Sequence, residues 1–313
     1  MPRSPLTLLL LPIAIPLPAC GASDLAQGWQ LDRTRILAVR ASPAEPRPGD
    51  TVRFESLVYT PSDVSDAGIL WFACLPEGAD DFGCSLDPSV ADLFSEDLES
   101  LSPAEQAELY AAAVEAGFVG FEPGLPPVWQ VPSDALDALA EEARTEGVNA
   151  TVNVTVLPGD ADLDSGDVEI AYKRLPISLA ETPNQNPDVQ GLTVYADPVF
   201  DQGTFLRGTE VPVDGGSFIA ERGAEYQLVP VFAEDAIETY AFTTPDGTRE
   251  DRTEEPFFTW YTEGGRFLQE FSLHPYTSTT WTAPDAAYEG VVVAVARDRR
   301  GGMGWASLRV TVP

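Results

Sequence analysis

The side chains able to do chemistry are three cysteines, one histidine and 50 carboxylates in a chain of 313 residues. Cys74 and Cys84 enclose the segment LPEGADDFG. That spacing is wider than a redox Cys-x-x-Cys pair, and no third or fourth soft ligand accompanies it for zinc. In an oxidising compartment the pair reads as a disulfide closing a short loop, contributing about 2–3 kcal/mol in the chain-entropy model. His274 is the only histidine, which excludes zinc sites built from several histidines. No serine or cysteine nucleophile motif accompanies it, so it reads as a surface or edge residue before Pro275. Asp160, Asp162, Asp164 and Asp167, with Glu169, form the densest acidic run. Oxygen ligands at alternate positions begin like a calcium loop, but Ser165 stands where glycine is needed and Ala171 where a bidentate glutamate belongs. The run therefore reads as a solvated turn between strands, with a Ca²⁺ site outside the EF-hand pattern as the alternative. No other cofactor is called for. Asp80-Asp81, Glu250-Asp251 and Glu254-Glu255 read as charged loops that guard strand edges.

The N-terminal segment decides the compartment. Arg3 precedes an apolar run from Leu6 to Leu17 that is broken by Pro12 and Pro16. The run is shorter than the ~20 residues a spanning helix needs, and its layout is that of a secretory signal. Leu17-Pro18-Ala19-Cys20 resembles the lipobox of bacterial lipoproteins, with Leu17 and Ala19 at the two selective positions. The resemblance implies removal of residues 1–19 and acylation of Cys20, which becomes the new N-terminus. Cys74 and Cys84 then remain as an even pair. Each acyl CH₂ buried in lipid contributes ~0.8 kcal/mol, and several chains hold what one holds only marginally. Gly21 in place of aspartate resembles the pattern of outer-membrane lipoproteins, on the periplasmic or cell-surface side. The membrane is thus one expected partner, reached through lipid.

Composition narrows the others. The 50 acidic residues against 18 basic give a formal charge of −32, which repels phosphate backbones and makes nucleic acid an implausible partner. Hydrophobic residues at 44% suffice for packed cores.

The elements that must carry these residues are mostly strands. After a polar tether (residues 20–30), RTRILAVR and TVRFESLVYT alternate with period two around a proline-glycine break. Ile69 to Cys74 follows as a third strand. Ser102-Pro103-Ala104-Glu105 is a capping box opening a helix that stops near Gly117. A second helix is predicted from Ser133 to Gly147. The stretch 86–147 thus reads as a mostly helical insertion in a β-sandwich domain of residues 31–180. Glu181 to Gln190 lacks periodicity and reads as a linker. Residues 191–313 hold about seven short strands with turns between them, including Val291 to Ala296 and Ser307 to Val312. Trp260 and Tyr261 must point to opposite faces of a strand, one into the core and one outward. Arg297, Arg299 and Arg300 with Gly301-Gly302 read as a basic hairpin turn that pairs with carboxylates. The fold class is mainly β: two immunoglobulin-like sandwiches, the first carrying helices.

The lipobox, RTRILAVRASPAEPRPGDTV, WFAC with its second cysteine, YKRLPIS followed by NQNP, and GVVVAVARDRRGG together resemble cell-envelope lipoproteins of myxobacteria and related Gram-negative bacteria. That resemblance implies export, acylation at Cys20 and immunoglobulin-like folding, and it carries over no catalytic residue. The expected function is a non-catalytic binding or scaffold module contacting an envelope protein or glycan. The alternatives are a carboxylate-based, glycosidase-like hydrolase and a Ca²⁺-dependent adhesion module.

Overall fold

The computed structural model describes residues 27–62, 67–76, 84, 101–157, 159, 168–201, 204–244 and 246–313. Cys20 and the carboxylates Asp80, Asp81, Asp160, Asp162, Asp164 and Asp167 fall outside that set.

Alternation builds the first sandwich. Its elements in chain order are β1 (Arg35–Ser42), β2 (Thr51–Tyr59), β3 (Gly68–Cys74), α1 (Pro103–Glu115), β4 (Phe118–Glu122), β5 (Val128–Gln130), β6 (Val148–Leu157) and β7 (Glu169–Ile177). One sheet has the order β1-β2-β5 and the other β4-β3-β6-β7. Val39, Ala41, Val52 and Phe54 from the first sheet meet Trp71, Val152, Val154, Leu175 and Ile177 from the second. The Phe54 ring stacks on Trp71 with centroids 5.8 Å apart. The capping box forms as the sequence predicts: Glu105 N donates to Ser102 Oγ, and Ser102 N donates to the Glu105 carboxylate.

The second predicted helix does not form. Residues 133–139 run through turns closed by Ala135 N to Pro132 O, Asp137 N to Asp134 O and Leu139 N to Leu136 O. A 3₁₀ segment, Glu141–Thr145, follows. Between β5 and β6 the chain instead tucks Leu136 into the core through these i→i+3 turns. β4 and β5, inside the stretch read as helical, are sandwich strands that place Phe118 and Trp129.

The second sandwich contains β8 (Val189–Ala196), β9 (Val199–Asp201), β10 (Thr204–Leu206), β11 (Thr209–Val211), β12 (Ser217–Ile219), β13 (Glu225–Phe232), β14 (Thr239–Thr243), β15 (Arg249–Thr253), β16 (Phe257–Thr262), β17 (Arg266–Phe267), β18 (Phe271–Leu273), β19 (Thr279–Thr282), β20 (Tyr288–Arg297) and β21 (Met303–Val312). Its sheets have the orders β11-β8-β13-β19-β17 and β12-β21-β20-β16-β18. β12 pairs parallel to β21, closing the sheet with the residues that follow β11. Trp260, Trp281, Phe258, Leu228 and Val292 fill the core. β14 and β15 form a separate two-stranded hairpin. Glu250 and Asp251, read from sequence as a loop, are part of β15, exposed along its whole length.

The two sandwiches pack face against face. Leu37 and Ala38 of β1, with Leu31, lie on Tyr261, Val293 and Val295 of the second domain. A bulge in β1 between Ile36 and Ala38 turns two successive residues toward this seam. Leu37 O, the carbonyl of the bulged residue, accepts from Arg297 Nη2 at 3.1 Å. Trp260 and Tyr261 do point to opposite faces, yet both are buried, because the outward face of β16 is covered by the first domain. The same cover explains why Val292 to Ala296 is buried on both faces.

Candidate functional site

The functional candidate is the joint between the domains. Its scaffold is the turn from β20 to β21, where Asp298 Oδ1 accepts from the backbone N–H groups of Arg300, Gly301 and Gly302 at 2.7, 3.0 and 2.9 Å. Asp298 Oδ2 accepts from Asn184 Nδ2 at 2.8 Å. The segment read as a linker is thereby fastened down. Asn186 Nδ2 donates to Ala41 O at 2.7 Å while its Oδ1 accepts from Met303 N at 3.0 Å, bridging the two sandwiches. Gly302 and Gly304 permit this approach: a Cβ would stand 2.6 Å from Gln185 O at the first and 2.0 Å from Pro187 O at the second.

Arg300 sits at the centre. Its guanidinium lies 3.1 Å from Glu254, 3.4 Å from Glu238 and 3.7 Å from Glu45, and 4.1 Å from the Tyr240 ring centroid. Glu45 comes from the first domain, where its two oxygens also accept from Ser178 Oγ at 2.5 Å and from Asn184 N at 2.6 Å. Glu254 is buried, unlike the charged loop its sequence suggests, and burial pushes its carboxyl above the usual carboxylate range. One cation thus faces three carboxylates of which one is wholly enclosed.

Lys173 of β7 completes the joint from the first domain. Its Nζ donates to Gly301 O. Burial pushes this ammonium down to about 8, against which the nearby Asp298 charge acts. It is the only lysine of the chain. A further cross-domain bond runs from Tyr59 Oη to Glu263 Oε1 at 2.7 Å, and burial with that carboxylate raises the phenol.

A cleft of about 600 Å³ opens beside the Arg300 cluster. Glu45, Glu146 and Glu181 of the first domain and the linker line one side, and Tyr240, Phe242, Arg249 and Arg299 line the other. Arg249 pairs with Glu181 at 3.2 Å and Arg299 with Glu255 at 3.8 Å, both at the exposed rim. Such an arrangement offers guanidinium and carboxylate groups in fixed positions beside aromatic rings, a surface suited to polar contact.

The sequence-predicted sites fall elsewhere. Cys74 and Cys84 form a disulfide with Cα atoms 5.5 Å apart. His274 is exposed at the end of β18. Among the described residues no group of three or more His, Cys, Asp or Glu side chains could hold a metal ion. The Arg297–Arg300 turn does pair with carboxylates, Glu238, Glu254 and Glu255 of its own domain and Glu45 across the boundary, while Arg297 reaches the Leu37 carbonyl of the first domain. Lys173, Asn184 and Glu238 were not singled out from sequence. For Lys173 a signal existed, since it shares the inward parity of Leu175 and Ile177 on β7.

No known protein family matches the chain, and no curated protein matches it either. Among solved structures, the D00-D0 domain of intimin aligns at 7% identity over 88% of this chain and 100% of its own, with a TM-score of 0.19. Extracellular domains 3–5 of Drosophila OTK align at 8% identity over 92% of this chain and 100% of theirs, with a TM-score of 0.19. Superpositions this loose carry no weight for fold or function. The immunoglobulin-like assignment stands on the strand orders of the two sandwiches.

Proposed function

We propose that this protein is an exported, lipid-anchored component of the bacterial cell envelope that acts as a non-catalytic binding or scaffold module, with the cleft at the domain joint as its contact surface for an envelope protein or glycan. The observation that carries this reading is the joint itself. Two sandwiches share a buried apolar face and a buried polar cluster, so the cleft walls are fixed relative to each other. A pre-organised surface binds without the entropy loss of ordering two mobile domains. The carboxylates of the joint are engaged: Glu45 and Glu254 hold Arg300 and backbone donors rather than standing free as an acid–base pair. The signal layout and Cys20 support export and acylation, and the Cys74–Cys84 disulfide suits an oxidising compartment.

Two measurements test the reading. Mass spectrometry of the mature N-terminus should find acylated Cys20, and a Cys20→Ser variant should leave the membrane fraction. Pulldown from envelope extract should recover a partner that Arg249→Glu with Tyr240→Ala loses. Hydrolysis of a glycan by the purified protein, abolished by substituting one acidic residue of the cleft, would overturn the non-catalytic assignment.

A further inference from the structure

The chain leaves the anchoring segment and docks first on the second domain. Gln30 bridges Thr262 in parallel, Leu31 N donates to Thr262 O at 2.9 Å, and Thr262 N donates to Trp29 O at 3.1 Å. The Trp29 ring meets Phe267 edge-on at 5.8 Å. Trp29 lies only nine positions beyond Cys20. At about 3.3–3.6 Å per residue they reach at most ~30 Å. If Cys20 carries the lipid, Trp29 and the strand end it docks on stay within ~30 Å of the bilayer surface.

The sheet edge that starts beside this dock bears the densest run of exposed apolar side chains among the described residues, from Leu268 along β18 to Leu273 and Tyr276 at the far end of β16. Leu268, Phe271, Leu273 and Tyr276 are 74, 55, 46 and 67% exposed within nine positions. Leu268 directly follows the Phe267 on which Trp29 rests. Phe271 stands opposite Thr259 on β16, three residues from the Thr262 bridge, or about 10 Å along the strand. β18 is the edge of its sheet, and its outward face continues the apolar face that the first domain covers over β16 and β20. Arg33 and Arg266 are exposed at this end, and Arg35 is held there by bonds to Gly28 O and Gln30 O. Asp32 and Glu270 share the region. A body of charge −32 is repelled by anionic head groups, so a lipid contact must use a locally apolar, cation-bearing face. Leu and Phe with an amphipathic Tyr are the side chains that settle at a lipid–water boundary.

We infer that the segment 266–276 is a membrane-contact surface, lying in the head-group region of the bilayer that holds the Cys20 lipid and fixing how the two sandwiches stand on it. The inference rests on the acylation proposed above, and the test separates the two. Full-length acylated protein is reconstituted into vesicles of phosphatidylethanolamine and phosphatidylglycerol, and amide hydrogen exchange is compared with that of Cys20→Ser protein free in solution. The expected result is flotation of the acylated protein with vesicles and exchange at 266–276 slowed about tenfold. A Leu268→Ser, Phe271→Ser double variant should still float but lose that protection. Both side chains are exposed, so the variant keeps its core. An Ile170→Ser, Tyr172→Ser variant, altering an exposed apolar pair on β7, should behave as the parent. Flotation with unchanged exchange at 266–276, or protection that survives in the double variant, overturns the contact while leaving the anchor standing. Failure of the acylated protein to float overturns both.

Discussion

The joint between the sandwiches has two halves built on different physics. One is apolar: Leu31, Leu37 and Ala38 against Tyr261, Val293 and Val295. The other is polar: Arg300, Lys173, Asp298 and Asn184 among Glu45, Glu238 and Glu254. The apolar half gains free energy with area and tolerates sliding, because the hydrophobic effect has no direction. The polar half gains little net free energy, since desolvating its charges offsets their attraction, but it is satisfied in one geometry only. Adhesion and registration are therefore assigned to separate patches of the same interface.

The largest expected effect falls on the polar half. Arg300→Met removes the cation while leaving Glu254 and Glu45 enclosed, and should lower unfolding free energy by about 3–5 kcal/mol in urea titrations. A loss under ~1 kcal/mol would mean that the cluster is solvated and does not register the domains. Next comes the seam: Leu37→Ala should lose about 2–4 kcal/mol through lost burial and a residual cavity, measured the same way. If Leu37→Ala shifts only a few tenths, the seam opens freely and the joint is a hinge.

Smaller still is a pH effect at Lys173. Its folded pKa is near 8 and its reference value is 10.5. Between those values the unfolded chain keeps a proton that the folded chain has released, so stability rises with pH through this window. From about pH 7 to about pH 9 the melting free energy should gain about 1 kcal/mol, and Lys173→Met should flatten that rise. The raised Tyr59 phenol acts in the opposite sense only above its unfolded value of 10.0. The smallest change is reserved for the rim, where Arg249→Ala breaks an exposed pair with Glu181 and should alter stability by about 0–1 kcal/mol. A larger loss there would erase the contrast between enclosed and exposed ion pairs.

Much of the sandwich core was legible, because Val52 and Phe54, or Leu308 and Val310, alternate with polar neighbours along strands buried on one face. The joint was less so. Parity sends one of Trp260 and Tyr261 outward, and nothing local says that another domain covers it. The unbroken apolar run from Val291 to Ala296 was the available clue, since a strand wet on one face has no use for it. The predicted helix from Ser133 failed against its propensity: tertiary packing of Leu136 in the core is met by i→i+3 turns and a 3₁₀ segment instead. Glu254 was misjudged because a carboxylate three residues before an aromatic strand looks like an edge guard until Arg300 arrives from forty-six positions away.

The pairing of Gln30 with Thr262 has a consequence for biogenesis. Residues made first must wait for a partner more than two hundred positions downstream. The leading sandwich can assemble on its own strands as it emerges, yet its Leu37–Ala38 side stays bare until the trailing sandwich arrives. Folding of the emerging chain thus passes through a half-dressed species with a sticky flank, and its yield depends on how quickly the rest of the polypeptide follows.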